Sequence, residues 1–363
     1  MNIEKQHINK LSILLFLIIL VMPIVVMLTG FEDNIINSEN RKKADFPTLQ
    51  INKPMKFVKQ FKSYFKDNFG FRYTLSDKYI QFKFDVLNES PLPSKVVFGK
   101  DNFMFLGNSF SNVINESYGE KFSKKELNLI KKTISSRKNW LDKNNIKYYI
   151  AVAPNKHTIY KEKFPLNLSV KKTRKDQLIK YIKDEINFNI VDLGTQFRQK
   201  KQENRLYRKF DSHWNDLGAF YAYQTLINEI NKDFNIEKLN ISSYKIDSVK
   251  SKGGISKMLN YSDKENRIIL KPKFKTNVVD VDFKKYYNNP KIYEIHHKNT
   301  TKKLKVLLFR DSFASALKPF INETFGECIY IWSHNFDKEL ILKEKPDIVI
   351  SEYVERYLER LEK

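Results

Sequence analysis

One cysteine, Cys328, stands among 363 residues. A single thiol excludes an intrachain disulfide framework and a cysteine-rich zinc site. Glycine and proline are sparse, 10 and 11 residues, which excludes collagen-like and Gly/Pro-rich low-complexity chains. Acidic residues are short against basic ones: 42 Asp+Glu face 65 Lys+Arg, leaving +23. That balance suggests an anionic partner such as nucleic acid, a membrane surface or an acidic polymer. What remains is a globular mixture, 41% hydrophobic and 29% charged. At about 150 residues per domain, the length suits two domains or one large α/β domain with insertions.

Long apolar runs are absent save one. LSILLFLIILVMPIVVMLT, residues 11–29, carries no charge and is long enough to cross a hydrocarbon core, which takes roughly 20 residues. Lys5 and Lys10 before it and Glu32 and Asp33 after it favour an N-terminus-in orientation. Arg41, Lys42 and Lys43 on the far side oppose it. A cleaved signal peptide would have a shorter apolar core and a small-residue cleavage site. The expectation is therefore an uncleaved anchor over 1–30, with the rest extracytoplasmic. That location, and the lack of any zinc-finger, homeodomain or RNP-type signature, makes nucleic acid an unlikely partner. The basic excess then serves anionic headgroups or an acidic glycan, or is simply a solvated lysine-rich surface.

Residues 31–121 form an extension. Within it, Phe57, Phe61, Tyr64, Phe65 and Phe69 recur at helical spacing, with Gly70 as a stop. The simplest role for these aromatics is packing on the body. SKVVFGKDNFMFLG alternates like a hairpin with Gly99–Asp101 as its turn. Residues 122–144 form a helix opened by a capping box, Ser123 with Glu126. Beyond it, short apolar runs alternate with helices: IKYYIAVAP, FNIVDLG, a helix from Asp216 to Ile230, KVLLF, a helix over 313–322, ECIYIW, a helix around 337–344, and PDIVIS. Such alternation implies an α/β fold, with a parallel sheet covered on both faces. Residues 232–303 read as a β-rich insertion.

Ligands of such sheets sit at the carboxyl ends of the strands. KVLLF runs straight into Arg310-Asp311-Ser312-Phe313. A serine there reaches the sheet edge at a helix start, where free N–H groups can stabilise an oxyanion. Alternatively Ser312 or Asp311 is only an N-cap. Asp211-Ser212-His213-Trp214 opens another helix. An Asp two residues before a His can accept from Nδ1–H and leave Nε2 to serve a hydroxyl; alone, the pattern also suits a surface turn. No second histidine lies at ligand spacing, so neither a metal nor a cofactor is expected. His296-His297 reads as solvated. His157 and His334 rival His213 as candidate bases.

Together these blocks resemble a known family. Asp-x-His before a helix is similar to the last block of SGNH (GDSL-type) hydrolases, RDSF to their first, and PDIVISEYVER to their third. In ordinary members the serine comes first; here Asp-x-His precedes it. That permuted order resembles the alginate O-acetyltransferase family of the AlgJ/AlgX type. ENRKKADFP, DNFGFR, KVVFGKDNFMFLG, VAPNKHTIYKEKFP and GGISKML agree with its recurrent stretches, over roughly 39–360. With no room for the carbohydrate-binding module of AlgX after PDIVISEYVERYL, the chain resembles the anchored AlgJ type.

The resemblance implies a three-layer α/β/α sandwich over 122–363. It makes Ser312 the nucleophile, His213 the base and Asp211 its orienting carboxylate. It implies transfer of an acetyl group to a polysaccharide hydroxyl, with a multipass membrane O-acyltransferase as donor partner. A carbohydrate acetylesterase with the same triad and a non-catalytic glycan-binding scaffold are the alternatives. Arg310 stands in place of the usual block-one Gly, and the block-two Gly and block-three Asn are missing. The Ser312 backbone N–H, Arg310, Asn335 and Tyr353 are candidates for the missing oxyanion donors; Asn155 and Lys156, after a strand end, are candidates for lining the site or shaping a turn, and Trp214 for fixing the His213 loop or stacking on a sugar.

Overall fold

Alternate side chains of each central strand feed two separate apolar layers, and this organises the structure. In the computed structural model, Tyr149, Ala151 and Ala153 join one buried cluster, while Tyr148, Ile150 and Val152 join the other. Both faces of the sheet are therefore covered, which is why its strands read as unbroken apolar runs. The structure describes residues 2–31, 43–166, 172–259, 261, 264–285 and 292–362. Glu32, Asp33, Arg41 and Lys42, used above to orient the N-terminal run, lie outside the described residues.

The chain divides into two compact units, Met1–Pro91 with Ser256–Ser262, and Leu92–Ile255 with Asp263–Lys363. The smaller contains α1 (Asn2–Thr29), α2 (Pro54–Asn68) and α3 (Arg72–Asp85). Lys10–Thr29 within α1 is apolar and long enough to cross a membrane.

The larger unit opens with β1 (Val96–Phe98) and β2 (Met104–Leu106), the expected hairpin, then α4 (Val113–Ser117) and α5 (Lys124–Lys143). The Ser123–Glu126 capping box is formed in both directions at the start of α5. Next come β3 (Lys147–Ala153), α6 (Lys156–Ile159), α7 (Arg174–Ile186), β4 (Ile190–Asp192), α8 (Phe197–Glu203) and α9 (Asp216–Ile230). β5 (Tyr244–Ser251), α10 (Gly254–Met258), β6 (Glu265–Pro272), β7 (Val278–Lys285) and β8 (Tyr293–Asn299) occupy the stretch read as an insertion. β9 (Lys305–Phe309), α11 (Lys318–Thr324), β10 (Glu327–Ile331), α12 (Lys338–Glu344) and β11 (Ile348–Val354) complete the fold.

The central sheet has the order β4-β3-β11-β9-β10-β8-β7. Its first five strands are parallel; β8 and β7 add antiparallel. The expected α/β/α sandwich with a parallel sheet is therefore present. Only half of the 232–303 stretch stands apart: β5 and β6 pair as a two-stranded sheet, whereas β7 and β8 widen the central one. The helix expected over 313–322 is instead a 3-10 turn, Phe313–Ala316, leading into α11. Pro319 near the start of α11 suits that break, since proline is tolerated in the first turn of a helix and not in its interior.

Candidate active site

Two turns meet at the carboxyl edge of the sheet. The first follows β9. Arg310 N–H donates to Ile331 O (3.0 Å) and Asp311 N–H to Glu352 Oε2 on β11 (3.0 Å). The Asp311 carboxylate accepts from Phe313 N–H and from Val354 N–H, each at 2.8 Å. Asp311 thus secures the backbone, and Ser312 is not used as a cap. Its Oγ turns instead to His213 Nε2, 2.7 Å away.

The second turn precedes α9. His213 Nδ1 lies 2.7 Å from Asp211 Oδ1. Asp211 also accepts from His213 N–H (3.2 Å), Arg208 Nη1 (3.0 Å) and Gly254 N–H (2.7 Å). Burial would raise the Asp211 carboxyl. The bond from His213, with the charge of Arg208 and the Gly254 amide, overrides burial and holds it well below the usual carboxylate range. Gly253 explains the glycine pair: a Cβ there would fall 1.8 Å from Phe210 O. Only a bare backbone brings the Gly254 amide this close.

Beneath this turn lies Lys156, wholly buried. Its Nζ donates to the carbonyls of Met104 (2.7 Å), Lys209 (2.8 Å) and Asp211 (3.0 Å). Burial pulls its pKa down to about 7, while three acceptors match the three N–H bonds of an ammonium. Glu265 accepts from Lys209 N–H (2.6 Å) and Phe210 N–H (3.2 Å) and pairs with Arg208 Nε at 3.2 Å.

A cleft of about 570 Å³ opens beside Ser312, walled by Arg310, Trp332, His334, Asn335, Tyr357 and Arg360. Trp332 is 45% exposed. The Arg310 guanidinium lies 4.4 Å from its ring centre and donates to Asp311 O and Ser315 Oγ, both at 3.0 Å. The structure therefore brings Arg310 and Asn335 to the same cleft as Ser312.

Three other expected site residues lie elsewhere. Tyr353 is buried; its hydroxyl meets Arg137 Nη1 at 3.1 Å and its ring stacks on His334 with centroids 4.5 Å apart. Strand alternation turns it into the core, so it supports the cleft wall and offers no donor there. Asn155 is buried too, its Oδ1 accepting from Arg356 (3.3 Å) and its N–H donating to Glu355 (2.8 Å). Trp214 is 2% exposed. Its Nε1–H donates to Phe313 O at 3.1 Å, so it ties the two turns together and has no face for a sugar.

Of the rival histidines, His157 is buried against Leu106 O (3.0 Å) on the hairpin, and burial takes its pKa to about 3. His334 walls the cleft, 3.1 Å from Arg360 Nη1. His296 is not solvated: it is buried on β8, 2.5 Å from Glu294. Its polar sequence context hid that β8 enters the central sheet. Glu294, His296 and Glu344 form a compact donor group, and Lys305 already supplies a cation there, 3.0 Å from Glu344.

Residues 96–285, more than half of the chain, match the family model of the SGNH hydrolase-like domain of the acetyltransferase AlgX. The chain belongs to this acetyltransferase family. Solved structures share the fold. PatB1 of Bacillus cereus superposes with a TM-score of 0.55 at 20% identity, over 71% of this chain and 95% of that one. The same protein with a sulfonyl adduct gives 0.56 at 19% identity, over 72% and 95%. A DHHW family protein from Eubacterium siraeum gives 0.50 at 15% identity, over 74% and 97%. No curated protein matches the chain. The matched stretch includes Asp211 and His213 and ends before Ser312. Sequence inspection did not pick out Arg208, Glu265 or Trp332; the contacts of Glu265 with the Asp211 turn span more than fifty residues.

Proposed function

We propose that the protein is a membrane-tethered, extracytoplasmic polysaccharide O-acetyltransferase acting through an acetyl-serine at Ser312. The observation that carries the reading is the line Ser312 Oγ, His213 Nε2, His213 Nδ1, Asp211 Oδ1, with both links at 2.7 Å. Ser312 Oγ–H donates to Nε2, and Nδ1–H donates to the ionised Asp211, which fixes the tautomer a base requires.

In the first half-reaction Ser312 Oγ bonds to the donor's acetyl carbon as His213 takes the hydroxyl proton. The leaving group departs with that proton. In the second, a sugar hydroxyl attacks the acetyl carbonyl and yields its proton to His213, which returns it to Ser312 Oγ. The Ser312 backbone N–H is free to receive the oxyanion, with the Asn335 side-chain amide as the second donor. Exposed Trp332 offers the acceptor sugar a flat apolar face, the role that burial denies to Trp214. Lys10–Thr29 as a membrane span keeps the enzyme beside a multipass membrane O-acyltransferase that delivers the acetyl group. Tethering of that kind raises effective concentration.

The test uses the full chain in detergent with a chromogenic acetyl ester and an acceptor glycan. Ester turnover, an acetyl mass on the protein and acetylated glycan are expected, all absent in Ser312→Ala. A sulfonyl fluoride should add once to the native chain and not to Ser312→Ala. Acetylation persisting in Ser312→Ala refutes the reading. Acetate release with no acetylated glycan, at saturating acceptor, makes the protein an esterase.

A further inference from the structure

Within the smaller unit, the aromatic helix α2 keeps part of its apolar stripe exposed. Along α2, Phe57, Val58, Phe61, Tyr64 and Phe65 fall on one stripe by helical spacing. Val58 is 57% exposed, Phe61 38% and Phe65 40%. Phe46 covers one edge, meeting Phe61 and Tyr64 with ring centroids 6.0 and 5.1 Å away; the rest is open. Lys56, Lys59, Lys62 and Lys66 fill the remaining faces, with Asp67 as the one acid of the helix. Asp67 is turned inward, accepting from Ala44 N–H at 3.1 Å.

The position of α2 matters as much as its composition. Its C-terminal end runs into Gly70, where a Cβ would fall 2.2 Å from Pro23 O and 2.8 Å from Val26 Cβ. Pro23 and Val26 belong to the last two turns of α1. At 1.5 Å per residue, Pro23 lies about 9 Å from the end of that apolar run. If α1 crosses a bilayer, the end of α2 sits at the depth of the headgroup–acyl boundary.

We propose that α2 lies in the membrane interface, with its Phe/Val stripe in the outer acyl region and its lysines on anionic headgroups. An exposed apolar stripe, a lysine-rich remainder and attachment at boundary depth are the features of an interfacial helix. Lysines near an anionic surface are attracted to it, and the attraction falls off within a Debye length. α3 also exposes an apolar row, Leu75, Tyr79 and Phe82 with Val86 just after it, but its Asp77 and Asp85 offset two of its three basic residues, whereas α2 sets four lysines against one inward-turned acid, so charge selects α2 for the anionic surface. The inference rests on the membrane reading of α1 and concerns a different segment.

The test is the full chain reconstituted in phosphatidylcholine vesicles with and without phosphatidylglycerol. Phe61→Cys and Lys59→Cys are each labelled with an environment-sensitive fluorophore; Cys328 is buried. In anionic vesicles the label at 61 should be blue-shifted and quenched by a shallow spin-labelled lipid. The label at 59 should be quenched by aqueous iodide. Changing Lys56, Lys59, Lys62 and Lys66 to Glu should make position 61 as accessible to iodide as position 59. Equal iodide quenching at both positions in anionic vesicles overturns the proposal. So does shielding of 61 that ignores lipid composition and grows with protein concentration, which indicates a second copy or a protein partner. An alkaline carbonate wash tests α1 separately: protein lost from the vesicles refutes the span. The lipid quenching at 61 measured before that wash still decides α2.

Discussion

The turn that presents Ser312 and the turn that presents His213 share one device and differ in another. In both, carboxyls accept backbone amides: Glu352 takes Asp311 N–H and Asp311 takes Phe313 and Val354 N–H in the first, and Glu265 takes Lys209 and Phe210 N–H in the second. The histidine turn adds buried cations: Lys156 donates to three carbonyls, and Arg208 to the Asp211 carboxylate. The difference follows from what each turn must display. An ionised Asp211 would be costly to bury without positive neighbours. The serine itself carries no charge and needs rigid backbone, and carboxyl oxygens supply that. Glu352 is itself driven toward its neutral form, because burial and the neighbouring Asp311 charge both raise its pKa well above normal.

The sharpest test replaces a carboxyl by an amide on each side. Asp211→Asn should lower kcat for the acetyl ester on the order of 10⁴-fold, by analogy with the serine-protease aspartate, because the amide favours the wrong histidine tautomer. A kcat within tenfold of native would end the claim that Asp211 orients the base. Next in size is Lys156→Met. It leaves three buried carbonyls without their donor and should cost about 3 kcal/mol in denaturant unfolding. A midpoint unchanged in that variant would mean that the cationic grip is dispensable.

On the serine side the effect depends on pH. Burial lowers His334 to a pKa of about 4, below the ordinary value of about 6.5. The unfolded chain therefore takes up a proton in this window that the folded one refuses. Stability is full above that ordinary value and falls as pH drops toward the folded pKa. His334→Phe keeps a ring against Tyr353 and should flatten the fall by up to one proton, read from urea midpoints at several pH values. The smallest effect belongs to Glu352→Gln. Its amide oxygen still accepts Asp311 N–H and no charge is lost, so less than about 1 kcal/mol should disappear. A loss as large as that of Lys156→Met would break the contrast.

The sequence revealed much of this frame because it was written locally. KVLLF and PDIVIS read as strands since both faces are buried. Ser123 announced its helix through a capping box. Asp211, His213 and Ser312 were visible because each sits at a strand end or a helix start. The facing of side chains was not visible. Tyr353 and Asn155 stand at the correct edge but turn into the interior, and no local pattern states that. His296 looked solvated because its neighbours are polar, yet its strand joins the sheet. The α2 aromatics had the spacing of a packing face, and spacing alone does not tell that Phe61 and Phe65 stay partly exposed. Lys156 drew notice by following a strand end, but its burial beneath the Asp211 turn emerges only when the hairpin and that turn close over it.

The place of β11 carries a consequence for biogenesis. The last strand of the chain lies between β3 and β9, so the sheet cannot close before residue 354 has arrived. A chain delivered from its N-terminus presents β3 and β4 early, with no neighbour to connect them to the serine strand. Pairings so distant in sequence make folding slow. The strands β3 and β4 are thus joined to the serine strand only by the last strand of the sheet to be made.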